Sequence, residues 1–222
     1  MKNELLSLYI SRQKDFQKVI EQFPEDKDKL AGPLLMSPNP SYYSSPNKLF
    51  IIGQETNGWT YHIDDIEKQM KTYEDFNVGF KYTASPFWNI TRKVEKVLDN
   101  QPHSCAWTNL NKFDLSGRRP TGIYETAISA LDDILISELK IIKPDFCLFF
   151  TGPSFDYRLK IIFQNIDFIK LPNFSKRQFC KLKHPDLPEN SYRSYHQKSL
   201  RMRHLEKDFI DYIGKQKKKN NL

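Results

Sequence analysis

The sequence predicts an α/β fold: a three-layer α/β/α sandwich around a central, mostly parallel four-stranded sheet. Two observations lead there. Short apolar runs of strand length, at residues 48–53, 105–110 and 146–150, are each followed by polar residues or turn formers, as expected of strands covered on both faces. Longer segments with apolar residues at helical spacing separate them, so strands and helices alternate as in a doubly wound sheet.

The elements follow in order. Residues 4–23 carry Leu5, Leu6, Tyr9, Ile10, Phe16, Val19 and Ile20, the stripe of one amphipathic helix. Residues 32–47, rich in Pro and Ser, form a loop. Residues 48–53 are the first central strand, and the polar stretch 60–82 supplies a helix and a loop. Ser85-Pro86 opens a helix over 87–98, with proline in the first turn, where its missing N–H costs nothing. The second strand, 105–110, ends at Asn109. Residues 124–142 form a long helix and 146–150 the third strand. A short helix over 157–163, strands over 168–171 and 178–182 and a terminal helix over 194–213 complete a single domain, 1–213. A basic, disordered tail, 214–222, is expected to follow.

At 222 residues, with 39% hydrophobic and 14% aromatic residues, the chain can bury a full core. Its formal charge of +7 favours a polyanionic partner. Cys105, Cys147 and Cys180 are widely spaced with no CxxC pair, which argues against a disulfide framework, a zinc site or an iron–sulfur cluster. They read as reduced core thiols. No apolar run approaches the ~20 residues of a membrane span. A cytoplasmic monomer with no cofactor is the expectation.

Chemistry is expected at the carboxyl ends of the strands, where open α/β sheets bind ligands. The run Leu49–Trp59, LFIIGQETNGW, presents Gln54, Glu55 and Asn57 there. Glu55 is suited to activating water, or else caps a helix or pairs with a lysine. A second polar loop, Lys183-His184-Pro185-Asp186, follows another strand-like run and is expected to face the first across one cleft. A histidine there is suited to stabilising a developing anion, or else is a turn residue bonded to backbone. Phe87 and Trp88 are candidates to stack on a planar ligand, or else belong to the core. Asn109 offers a donor and an acceptor to a nucleobase edge. Basic and aromatic residues interleave over 176–207 and suit a nucleic-acid backbone, among them Lys183, Arg193, Lys198 and Arg201.

In their order, strand-GQE, SPFWNI opening a helix, strand-TNL, strand-FFTG and strand-HP, these pieces resemble the uracil-DNA glycosylase superfamily over most of the chain, about residues 48–203. The resemblance implies a DNA glycosylase that flips a damaged or modified base and hydrolyses its N-glycosidic bond. Glu55 falls where the family has its water-positioning residue, with Asn57 competing for that role because Thr56–Trp59 replaces the family's proline-containing continuation. His184 falls on the histidine that stabilises the departing base. Gln54, Phe87, Trp88 and Asn109 would bind the base. Ser85, Pro86, Pro185, Lys183, Arg193, Lys198 and Arg201 would face duplex or single-stranded DNA. Two other functions fit the same residues: a non-catalytic nucleic-acid binder, and an α/β hydrolase of a small nucleotide or nucleoside.

Overall fold

The computed structural model describes residues 1–60 and 64–219, and backbone alone for the last two of these. Eight strands are found among them: β1 (Leu30–Ala31), β2 (Leu49–Gly53), β3 (Ala106–Asn109), β4 (Asp114–Leu115), β5 (Phe146–Phe149), β6 (Asp167–Lys170), β7 (Phe179–Lys183) and β8 (Asn190–Ser194). The helices are α1 (Lys2–Ser11), α2 (Gln13–Glu21), α3 (Pro40–Ser44), α4 (Ile66–Phe76), α5 (Pro86–Val97), α6 (Ile123–Ser129), α7 (Ile134–Ile142), α8 (Asp156–Ile162), α9 (Gln197–Met202) and α10 (Glu206–Lys219).

The fold is α/β, with a six-stranded mixed sheet in the order β3-β2-β5-β8-β7-β6 and a small antiparallel pair, β1-β4. The four strands β3, β2, β5 and β8 run parallel. The hairpin β6-β7 extends them in the antiparallel sense. The sheet is therefore larger than the four strands expected. Leu49, Phe50, Ile51 and Ile52 of β2 are fully buried, each worth about 1.5–3 kcal/mol relative to exposure. Among the described residues no helix is long and apolar enough to cross a membrane. All three cysteines are free and buried.

The fourth parallel strand is β8, which the sequence reading assigned to no strand. Its sequence, NSYRS, is polar yet buried at every position. Neighbours on both edges use its backbone groups, and Arg193 and Ser191 find internal partners, whereas Ser194 Oγ makes no hydrogen bond with the protein. The Arg193 guanidinium donates to both Asp156 carboxylate oxygens at 2.9 and 3.0 Å and to the Lys176 and Arg177 carbonyls at 2.8 Å. Ser191 Oγ donates to the Pro188 carbonyl at 2.6 Å. A buried polar strand is stable when its groups are satisfied in this way.

Three expected single helices are broken. Residues 4–23 divide into α1 and α2 at Arg12, whose backbone leaves helical geometry and whose side chain pairs with Asp15 and Asp133. Residues 124–142 divide into α6 and α7, and residues 194–213 into β8's last residue, α9 and α10. The final helix continues to Lys219 in place of a tail from residue 214, and its Gly214 lies beside Val97 of α5. The stretch expected to be a helix and a loop, 60–82, supplies α4 and a tight turn after it; its residues 61–63 lie outside the described residues.

Candidate active site

Because β2, β3, β5 and β8 are parallel, their carboxyl ends open on one edge of the sheet. Short bonds stitch those ends together. The Leu110 amide donates to the Gly53 carbonyl at 3.1 Å, and Gly152 donates to the Ser194 carbonyl at 2.9 Å. Gln54 Nε2 donates to the Thr151 carbonyl at 2.6 Å, so Gln54 ties β2 to β5 and does not line the cleft. Gly53 lets the Asn109 side chain approach the β2 backbone, since a Cβ there would lie 2.2 Å from Asn109 Oδ1 and force it to shift.

Above these ends lies a cleft of about 550 Å³, within the range of small-molecule sites. Glu55, Asn57, Ser85 and His196 supply polar groups at its wall, and Trp59, Phe76, Tyr82, Phe87, Trp88 and Trp107 supply aromatic ones. The rings pack edge to face, Trp59 on Trp107 at 5.7 Å and Phe87 on Trp88 at 4.7 Å, which holds them as fixed walls. Ser85 precedes Pro86 at the start of α5, and this turn delivers Phe87 and Trp88 to the cleft.

The loop carrying Glu55 is held by Asp114. Its carboxylate is fully buried and accepts the Thr56 hydroxyl, the Gly58 and Trp59 amides at 3.0 Å and the Gly117 amide at 2.7 Å. Glu55 itself stands in poor solvent. Burial pushes its carboxyl up to about 7, against the opposing effects of the Asn111 amide, which donates at 3.4 Å, and the Arg119 charge. A carboxyl poised there exchanges a proton near neutrality.

His196 is the strand-end histidine. It follows β8 by two residues, caps α9, and its Nδ1 accepts the Lys198 amide at 3.2 Å. That bond leaves Nε2 to carry the proton of the neutral ring. Burial first, and the Lys198 charge second, lower its pKa, so the ring is held neutral.

His184 is not in the cleft. β7 is antiparallel to β8, and its register places Phe179 opposite Ser194, so Lys183, His184 and Pro185 lie toward the amino end of β8. There His184 Nε2 meets the Gln164 carbonyl at 3.1 Å and its ring packs on Phe163 at 5.3 Å. The expectation of two loops facing across one cleft is corrected: the strand that faces β2's loop from the far side is β8, not β7. Arg193, expected on DNA, is buried in its pairing with Asp156 and faces no solvent. Arg201 and Lys198 are both exposed, Arg201 being engaged by Glu206 and Asn89.

Asn109 is buried and does not line the cleft. Its Oδ1 accepts the Trp107 indole N–H at 3.1 Å, and its Nδ2 makes no hydrogen bond with the protein. Trp59 Nε1, Thr151 Oγ1, Ser194 Oγ and both amide atoms of Gln197 are buried and unbonded at the same end of the sheet. Unsatisfied polar groups are costly in a core, and a bound water or ligand at this end of the sheet would meet them. Among the described residues no group of three or more His, Cys, Asp or Glu side chains is arranged to hold a metal ion.

No protein-family model, no curated protein and no solved structure matches the chain. The sequence reading had singled out Glu55, Asn57, Ser85, Phe87 and Trp88, and the fold brings these together. His196 is legible in the sequence only as part of the basic, aromatic segment 176–207, and Trp59, Phe76, Tyr82 and Trp107 carry no signal there as cleft residues. The signal for His196 was its place two residues after a five-residue stretch, masked by that strand's polarity.

Proposed function

We propose that the chain is a DNA glycosylase of the uracil-DNA glycosylase type, acting on a damaged or modified base extruded into the cleft. The three-layer α/β/α arrangement belongs to this reading, and the packing of α5, α9 and α10 on one another, and of α1 on α4 and α7, supports it. The observation that carries the proposal is the convergence of Glu55, Asn57 and His196 on one aromatic-walled cleft at the carboxyl ends of the parallel strands. In the reaction the C1′–N bond breaks and its electron pair leaves with the base. His196 Nε2–H donates to the base anion as charge develops, from a buried, preorganised position. Water adds to C1′, oriented by Asn57, and Glu55 accepts its proton. His196 replaces His184 in the role implied by the resemblance. Phe87 and Trp88 flank the base, and Asn109 supports the wall through Trp107.

Extruding a base costs a few kcal/mol, least for a damaged or mispaired one. Exposed cations lie at the rim or next to it: Lys81 beside Tyr82, Arg118 beside Gly117, and Lys198 beside His196. These suit phosphates. The buried pairing of Arg193 with Asp156, and the surface pairing of Lys181 with Glu189 and of Arg201 with Glu206, offset part of the basic charge and favour a second reading, a hydrolase of a free nucleoside or nucleotide in the same cleft. Chromatography of bases released from an oligonucleotide and from the matching nucleoside separates them. Release from the oligonucleotide alone supports the glycosylase; release from the nucleoside alone supports the second reading.

A further inference from the structure

Beside the cleft mouth, Phe80 and Tyr82 are 58% and 55% exposed. Single exposed apolar side chains are common; two aromatic rings exposed two residues apart at a cleft mouth form a patch of the kind that marks a contact site. Here the backbone holds them out. Asn77, Val78 and Gly79 are all left-handed, with φ of 46°, 48° and 76°, a conformation that a β-branched residue such as Val78 rarely adopts. The turn is clamped from several sides. Val78 is buried, Asn39 Nδ2 donates to Asn77 Oδ1 at 2.7 Å, and Gly79 lies so close to Trp88 that a Cβ would fall 2.3 Å from its ring. The Phe80 amide donates to the Asn77 carbonyl at 3.1 Å and the Tyr82 amide to the Gly79 carbonyl at 2.8 Å.

One side of each ring is supported: Phe80 packs on His103 at 5.2 Å and Tyr82 on Phe76, a cleft residue, at 5.3 Å. Between them Lys81 is exposed, and no carboxylate of the described residues pairs with it. Backbone strain concentrates where function over-determines the conformation. Aromatic–cation–aromatic on a rigid mount matches the base–phosphate–base repeat of a single strand.

We propose that Phe80-Lys81-Tyr82 is a stacking platform for nucleic-acid bases flanking the nucleotide in the cleft, with Lys81 at the intervening phosphate. The platform rests on the reading of the cleft as a nucleic-acid site. The test is equilibrium binding of the full chain to a single-stranded thymidine oligonucleotide across a salt series. Phe80→Ala and Tyr82→Ala each weaken binding about 5- to 150-fold, leave the salt slope unchanged, and are rescued by Phe80→Trp and Tyr82→Phe. Lys81→Ala reduces the slope by about 0.7. Salt-sensitive binding that all three alanine variants retain at full strength overturns the platform and leaves the nucleic-acid reading standing. No binding by the unsubstituted protein overturns both.

Discussion

Nδ1 of His196 accepts the backbone N–H of Lys198 at 3.2 Å. This one bond caps α9 and decides which ring nitrogen of the neutral histidine carries a proton. It gives the cleft a neutral donor at Nε2, kept neutral by burial, at the end of the strand that completes the parallel sheet.

His196→Asn therefore keeps a side chain that caps a helix well and moves the donor. Base release by this variant is expected to fall about 10²–10³-fold, the usual loss for one donor to a developing anion, with nucleic-acid affinity unchanged. His184→Ala is expected to leave the rate within about twofold. Single-turnover kinetics on the same substrate checks both.

Glu55 has an ordinary carboxyl value of 4.5 and is pushed up to about 7 by burial. As a proton acceptor it works only when ionised, so release is expected to rise with pH through about 7 and level above it. Stability runs the other way. A carboxyl whose folded pKa exceeds its unfolded one binds its proton more tightly when folded, so its contribution is full below 4.5 and is lost as pH rises to about 7. Glu55→Gln is expected to flatten the rate profile and to raise stability at pH 8 by on the order of 1–2 kcal/mol, once screening at its partly exposed position is allowed for. Urea melts at pH 5 and pH 8 test the sign.

Asp114 carries the loop that presents Glu55 and Asn57. Asp114→Ala leaves the Gly58, Trp59 and Gly117 amides without their acceptor, at about 1–3 kcal/mol for each group that stays buried. A loss of about 3 kcal/mol and of base release is expected, read by chemical denaturation and by the release assay.

Arg193→Ala breaks a pair that is buried on the arginine side, and about 3 kcal/mol of destabilisation is expected. The salt slope of nucleic-acid binding should not change, because Arg193 reaches no surface. A reduced slope in a folded variant would show that the guanidinium meets phosphate after all.

Sequence patterning exposed β2 and β5 because continuous apolar runs are buried on both faces and have no polar code to misread, and β3 through Ala106 and Trp107 ahead of its polar end, Thr108 and Asn109. It hid β8 because burial there is achieved by polar partners on distant elements: Asp156 for Arg193 and the Pro188 carbonyl for Ser191. Those partnerships exist only once the chain has folded. The same omission pointed to His184 where the histidine at the cleft is His196, since an antiparallel hairpin carries β7's end to the opposite end of the sheet. Glu55, Asn57 and the Ser85-Pro86 turn were legible because strand-to-loop and proline signals are local. The aromatic walls from Trp59, Phe76, Tyr82 and Trp107 come from four separate segments, and their convergence is tertiary.

The most direct test is base release by the unsubstituted protein. Duplex and single-stranded oligonucleotides carrying uracil, hypoxanthine, xanthine, a thymine mispair or a modified cytosine are incubated with it and then treated with alkali to cleave abasic sites. The account predicts alkali-dependent cleavage at the position of at least one of these bases, and intact strands without alkali. Intact strands across the whole panel after alkali, with a folded protein bound to the DNA, would contradict it.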